Sequence, residues 1–380
     1  MQKLLYLKLS KHLDQVHYSK FYRMQQVKRP FGARSYSDIL KEGLQYIDDR
    51  RHGRIKSFKT PWIGLNNAGI GGLEWGSMLT VGARPGAGKT MITSQILREA
   101  KALNSTQDFS ILEFQFEMGA KQYAARQYAA MTALDYNQVL SSKQQLDDFS
   151  RNMMARYLAE CEAQEKLGIR RELIGDPLGV LEMEKAMHHY YQDMGAKPMI
   201  VTIDHSWLIK KDKAEKEKIQ TLYNTVEMLM HIKKDLPIIV IMITQLNRDI
   251  DTPLRKAPGN VGNYPTSGDI FGGDALMQGS DCVIVLNRPF KVDIKSYGPK
   301  GYITESNHIF MHVLKSRNSS DDNNLLFMDG QFSSQRMIEV PEFRHQAPSG
   351  AAGTNSGGMG NWRTTRNSST GVTAPIGDEI

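Results

Sequence analysis

The sequence predicts an α/β fold, a largely parallel central sheet flanked by helices on both faces and built around a phosphate-binding loop. Three observations carry this. Short apolar runs recur between residues 78 and 314, separated by stretches that include clear helical periodicity. Strands alternating with helices argue for a parallel sheet buried on both sides. One run leads straight into ARPGAGKT at 83–90, which opens a helix, the context a phosphate loop requires. Finally, Glu117, Asp204 and Gln245 stand just after three other runs, and such sheets bind ligands at the C-terminal ends of their strands.

The elements follow in order. Residues 1–35 carry Lys3, Lys8, Lys11, Lys20, Arg23, Lys28, Arg29 and Arg34 against one acid, Asp14. This reads as a basic N-terminal arm, with an organellar transit peptide as the other reading. Residues 36–52 form a short amphipathic helix, with Ser37 as N-cap and Ile39, Leu40, Leu44 and Ile47 at helical spacing. Residues 53–345 form the large domain. Its strands are expected at 78–82, 111–116, 199–203, 237–243, 282–286 and 308–314. One helix starts at Lys89, with Ile92, Ile96, Ala100 and Leu103 on one face. Another runs from about 215 to 235 through Ile219, Leu222, Tyr223, Val226, Leu229 and Met230. Residues 346–380 turn to Gly, Ser, Asn and Thr, too poor in apolar surface to order themselves, and are expected to be a flexible tail.

Composition excludes several classes. No apolar run approaches the ~20 residues that span a bilayer. Cys161 and Cys282, the only two cysteines, match no metal or disulfide spacing and point to a reducing, cytoplasmic setting. The net charge of +7 favours a polyanionic partner only weakly.

The phosphate loop is Ala83, Arg84, Pro85, Gly86, Ala87, Gly88, Lys89 and Thr90. Gly86 and Gly88 let backbone amides curl around phosphate oxygens, and the helix N-terminus adds free N–H groups. Lys89 reaches the β- and γ-phosphates of ATP or another nucleoside triphosphate, and Thr90 offers its hydroxyl to Mg²⁺. Ala83 departs from the first Gly of the pattern. Nucleotide hydrolysis also needs a metal-holding acid, a base for water and a γ-phosphate sensor. Asp204, Glu117 and Gln245 fit those roles by position. Taken singly each is better read as a helix cap, a solvated acid or a loop residue; their convergence on strand ends favours function.

Cations follow two of these strands. Lys210, Lys211 and Lys213 come after Asp204, and Arg248, Arg255 and Lys256 after Gln245. They suit contact with a phosphate backbone. Lys216 and Lys218 lie among acids and fit a solvated helix face equally well. The stretch 257–268 (APGNVGNYPTSG) reads as a mobile loop.

Several motifs together resemble the ATPase domain of DnaB-type replicative helicases. These are ARPGAGKT with its leading Ala, FEMGAKQYAAR at 116–126, TQLNR at 244–248 and LKSRN at 314–318, preceded by GLNNAGIGGLEWGSMLTVGARP. The match runs from about 60 to 345, in order. It implies a RecA-like fold, Glu117 as catalytic base, Asp204 as the Mg²⁺-holding acid, and Gln245 as the coupler of nucleotide state to DNA. It implies Lys315 and Arg317 as groups reaching a neighbouring subunit's site, and 36–50 as a linker helix docking on that neighbour. It implies a hexameric ring on single-stranded DNA, with primase, polymerase or a loader as partners, in a bacterial or phage-infected cell. Two departures stand out: His205 where many relatives have an aromatic residue, and Phe271–Gly272 where an Arg–Glu pair is common. The competing reading is a RecA-like recombination ATPase that coats DNA as a filament. A packaging motor fits less well, since His205 rather than Glu follows Asp204, and a degenerate scaffold leaves the catalytic set unexplained.

Overall fold

In the computed structural model of the chain, which describes residues 33–213, 215, 217–256, 263–317 and 325–345, all six expected runs are strands. The strands are β1 (Ser77–Ala83), β2 (Ser110–Gln115), β3 (Arg171–Ile174), β4 (Met199–Asp204), β5 (Ile238–Gln245), β6 (Cys282–Asn287), β7 (Ser296–Tyr297), β8 (Tyr302–Ile303), β9 (His308–Ser316), β10 (Leu325–Gln331) and β11 (Arg336–Val340). The principal helices are α1 (Tyr36–Arg51), α2 (Lys89–Leu103), α3 (Ala120–Thr132), α4 (Asp148–Lys166), α5 (Val180–Asp193), α6 (Lys218–Asp235) and α7 (Gly273–Gly279). One nine-stranded sheet has the order β11-β10-β9-β6-β1-β5-β4-β2-β3. The six strands from β6 to β3 are parallel, and β9, β10 and β11 extend the sheet antiparallel.

β1, β2 and β4 are buried at every position, because helices cover both faces. Side chains alternate between two cores. Leu79, Val81, Ile111, Ile200, Ile239, Ile241 and Ile284 pack with Ile92 and Ile96 of α2. Met78, Leu112, Phe114, Val201, Ile203, Val240, Met242 and Val285 pack with α5, α6 and α7 through Met183, Met187, Leu222, Val226 and Leu276. A smaller aromatic cluster of Tyr297, Tyr302, Phe310, Phe327 and Phe343 closes the antiparallel side.

Three expectations need correction. The helix cap is Ser35, whose hydroxyl accepts from Asp38 N. Ser37 lies inside α1. α6 begins at Lys218, because Glu215 folds back as a buried acceptor for Asp212 N at 2.9 Å, Thr221 Oγ1 at 2.7 Å and Asn224 Nδ2 at 2.6 Å. The loop expected at 257–268 is ordered in its second half: Asn263 is buried and donates to Ile250 O at 2.9 Å. Its first half, 257–262, lies outside the described residues, as do the arm up to residue 32, Lys216, Asn318 and the tail from 346. β3, β10 and β11 were not expected at all.

Candidate nucleotide-hydrolysis site

Strand register brings the candidates to one edge of the sheet. Ala83 at the end of β1 sits opposite Gln245 at the end of β5. Asp204 at the end of β4 sits opposite Gln115 at the end of β2, and Glu117 follows two residues on. β5 and β4 are neighbours, so the order along the edge is Ala83, Gln245, Asp204, Gln115.

The loop from Arg84 to Gly88 joins β1 to α2. Gly86 (φ 71°) and Gly88 (φ 105°) hold left-handed conformations that disfavour a side chain. A Cβ at Gly88 would also collide with Met337. Ala83 needs no such freedom. It is the last residue of an extended strand, paired on both sides and fully buried, which accounts for the departure from Gly there. Lys89 is 9% exposed, with Nζ 3.5 Å from Ala83 O. Burial pulls its ammonium below the usual range, while Glu117 and Asp204 pull the other way. Thr90 Oγ1 and Gln115 Nε2 each lie 3.4 Å from Asp204 Oδ2. Gln115 Oε1 also accepts from Glu117 N at 3.3 Å, so it links Asp204 and Glu117.

Asp204 is 3% exposed. Burial raises its carboxyl to about 6, with a further contribution from the Glu117 charge. Its Oδ1 is buried without a hydrogen-bond partner. An orphaned carboxylate oxygen beside a threonine hydroxyl fits a hard divalent cation that completes its shell with water and phosphate oxygens. Among the described residues no cluster of three or more His, Cys, Asp or Glu could hold a metal by itself. Glu117 has a half-exposed carboxylate, 4.0 Å from His205 Nε2. Gln245 Nε2 lies 3.4 Å from the same nitrogen.

Sequence reasoning passed over Gln115 and Arg288, and noted His205 only as a departure from the family pattern. Arg288 follows β6, donates to Gly86 O at 2.8 Å and stacks over the Phe332 ring at 3.8 Å. With Lys291 and Asn287 it borders a cavity of about 180 Å³ beside the loop. A polar residue after a fifth strand end was the available signal. Arg84, expected in the nucleotide loop, turns its side chain onto Asp251 and so contributes to the loop through its backbone.

The cations divide. Lys210, Lys211, Lys213 and Arg248 are exposed. Arg255 instead ion-pairs with buried Asp269 and donates to Tyr264 O at 2.9 Å, a structural clamp rather than an open cation. Lys256 is half-buried, and Lys218 donates to Ile209 O.

Lys315 and Arg317 lie at the other edge. Lys315 pairs in register with Val283 and Ser316 with Cys282, at the start of β6, whereas Leu286 near its end is beside Ala83. At 3.3 Å per residue Lys315 stands about 10 Å, and Ser316, which Arg317 follows, about 13 Å, from the level of Ala83 along the strands. Lys315 donates to Met277 O, and Arg317, half-exposed, is 3.2 Å from Asp281 Oδ1.

The profile of the DnaB-like helicase C-terminal domain matches residues 58–335. The chain belongs to this family. Among curated relatives, the replicative DNA helicase DnaB of Helicobacter pylori is 24% identical over 296 residues, 75% of this chain and 57% of that protein. The Haemophilus influenzae DnaB is 22% identical over 263 residues, 68% and 52% respectively. The chain thus spans a little over half the length of the relatives it matches. A solved DnaB-like replicative helicase, described with its interactions with primase, superposes at TM-score 0.63 and 16% identity over 81% of this chain and 68% of the other. A second solved structure, described as an ATPase domain, gives 0.64 and 14% over 80% and 99%. The DnaB-like chain therefore has the RecA-like fold that the sequence predicted.

Proposed function

We propose that this DnaB-like chain is the ATP-driven motor of a replicative DNA helicase, working as a ring, most simply a hexamer, on single-stranded DNA in the cytoplasm of a bacterial or phage-infected cell. The carrying observation is the separation of Lys89, Thr90, Asp204, Glu117 and Gln245 at one sheet edge from Lys315 and Arg317 at the other. A protomer built this way completes its neighbour's site and not its own, which calls for head-to-tail assembly. Residues 53–345 serve as the motor domain, 36–52 as the linker helix, and the arm and tail as appendages.

In this reading the loop amides and Lys89 bind the phosphates of ATP. Thr90 and Asp204 hold Mg²⁺, which supplies charge neutralisation on the β- and γ-phosphates when bound. Glu117 accepts a proton from the attacking water, oriented by its place beyond β2. Gln245 follows the γ-phosphate. Arg317 of the adjoining protomer, with Lys315, stabilises charge on the transferring group. Lys210, Lys211, Lys213 and Arg248 face DNA phosphates, with salt-sensitive binding as the result. Primase, a polymerase or a loader are the expected protein partners.

Head-to-tail contacts also build open filaments, as a recombination ATPase would use. The test is ATP hydrolysis with and without single-stranded DNA, beside unwinding of a forked duplex. DNA should stimulate hydrolysis and the fork should open. Arg317→Ala should lose both, by about 10³-fold in turnover, while still binding nucleotide. Stimulated hydrolysis with strand exchange and a closed fork would favour the filament.

A further inference from the structure

His205 stands directly after the metal-holding Asp204, is 5% exposed, and has a polar neighbour at each ring nitrogen. Nδ1 accepts from Trp207 N at 3.2 Å, capping the single 3₁₀ turn Ser206–Leu208. That fixes the neutral tautomer: the ring proton is on Nε2. Nε2 in turn lies between Glu117 Oε2 at 4.0 Å and the Gln245 side-chain amide at 3.4 Å. The Gln245 amide nitrogen is itself a donor, so it faces the Nε2–H donor to donor, and the Glu117 carboxylate is the acceptor on that side of the ring.

The contacts close into a circuit. The Trp207 ring packs edge-on against Phe271, with centroids 4.8 Å apart at 82°. Phe271 N donates to Gln245 O at 3.0 Å, and Leu246 bridges to Ile270. His205, Gln245, Phe271 and Trp207 therefore hold one another, and Glu117 is the member facing the attacking water. Any shift of the segment 269–271 moves both the backbone of Gln245 and the aromatic wall behind His205.

We propose that His205 is a positioning residue that sets Glu117 through its Nε2–H, with the Gln245 amide as the neighbour that keeps the two apart. Turning the Gln245 amide away toward a γ-phosphate removes the opposing donor and lets the Nε2–H close the 4.0 Å gap to Glu117, which fixes the carboxylate's orientation at the moment it is needed. Because the same ring is anchored through Trp207 and Phe271, the state of the 269–271 segment reaches the base through His205. The inference rests on the hydrolytic reading above.

Two substitutions separate the nitrogens. Asn at 205 keeps an acceptor where Nδ1 stands and loses Nε2. Gln places an amide N–H near Nε2 and loses the cap. DNA-stimulated hydrolysis, nucleotide binding and thermal melting are measured for the full chain, its His205→Asn form and its His205→Gln form. His205→Asn should lose about 10²-fold in kcat, the scale of a misplaced catalytic group, with little change in KM. His205→Gln should retain more of kcat although it melts lower. If the Gln form loses as much as the Asn form or more, His205 is a cap only and the inference is overturned. A wild-type chain that hydrolyses no ATP, alone or with DNA, overturns the hydrolytic reading and this inference together.

Discussion

At Asp204, burial and the neighbouring Glu117 carboxylate raise the carboxyl from its ordinary 3.8 to about 6. The folded protein therefore binds a proton more tightly than the unfolded chain does. The associated stability is complete below about 3.8 and is lost as pH rises through about 6. The gap corresponds to about 3 kcal/mol. Asp204→Asn, which keeps an acceptor for Thr90 and Gln115, should melt higher than wild type near neutral pH without nucleotide. That advantage should shrink as the pH is lowered toward 4, and hydrolysis should be lost throughout. Melting curves against pH check this, and a pH-independent difference would reject it. Phe271 offers a second prediction at this scale. Phe271→Ala removes the ring behind Trp207, so DNA stimulation of hydrolysis should fall severalfold while nucleotide affinity holds, as titration with a fluorescent nucleotide would report.

α1 presents Ile39, Leu40, Leu44 and Ile47 at 46–64% exposure, an apolar stripe that its own domain does not cover. Arg50 at its C-terminal end ion-pairs with Glu74 at 2.6 Å, which tethers that end of the helix to the domain. Leu40→Asp with Leu44→Asp should leave the protomer's melting temperature nearly unchanged and shift sedimentation toward small species; a mutant that still sediments as a ring would show that the stripe is not an interface. This helix also marks what was legible in the sequence. Its periodicity was plain, and the cap was misplaced by two residues although Ser35 stands three before Asp38, the spacing of a capping box. The parallel strands were legible because burial on both faces makes them continuous apolar runs. β3 (RELI), β10 (LLFMDGQ) and β11 (RMIEV) are outer strands of the sheet, carry polar residues, and gave no such signal. The phosphate loop, Asp204 and Glu117 were readable from their places after strands. The pairing of Arg255 with Asp269 and the reach of His205 to Glu117 were not, since both depend on contacts between segments that only the folded chain brings together.

At the scale of the whole molecule, the two halves of the proposed reaction sit on opposite sheet edges, and this predicts complementation. Lys89→Ala alone lacks a phosphate grip, and Arg317→Ala alone lacks the group donated to the neighbour. Mixed together, an Arg317→Ala protomer with an intact loop can sit beside a Lys89→Ala protomer with an intact arginine. Two inactive preparations should therefore regain part of the DNA-stimulated turnover on mixing, in proportion to the frequency of that pairing. No recovery after confirmed subunit exchange would place Arg317 outside the neighbouring site.

The strand length between Leu286 and Cys282 has one more consequence. On the proposed function it works as a census: a solitary protomer should not fire, however much ATP surrounds it, because the arginine it holds out lies too far along β6 to serve its own loop. Idle copies awaiting assembly would thus stay quiet without any inhibitor, and the rate per protomer should climb with protein concentration until the rings are complete.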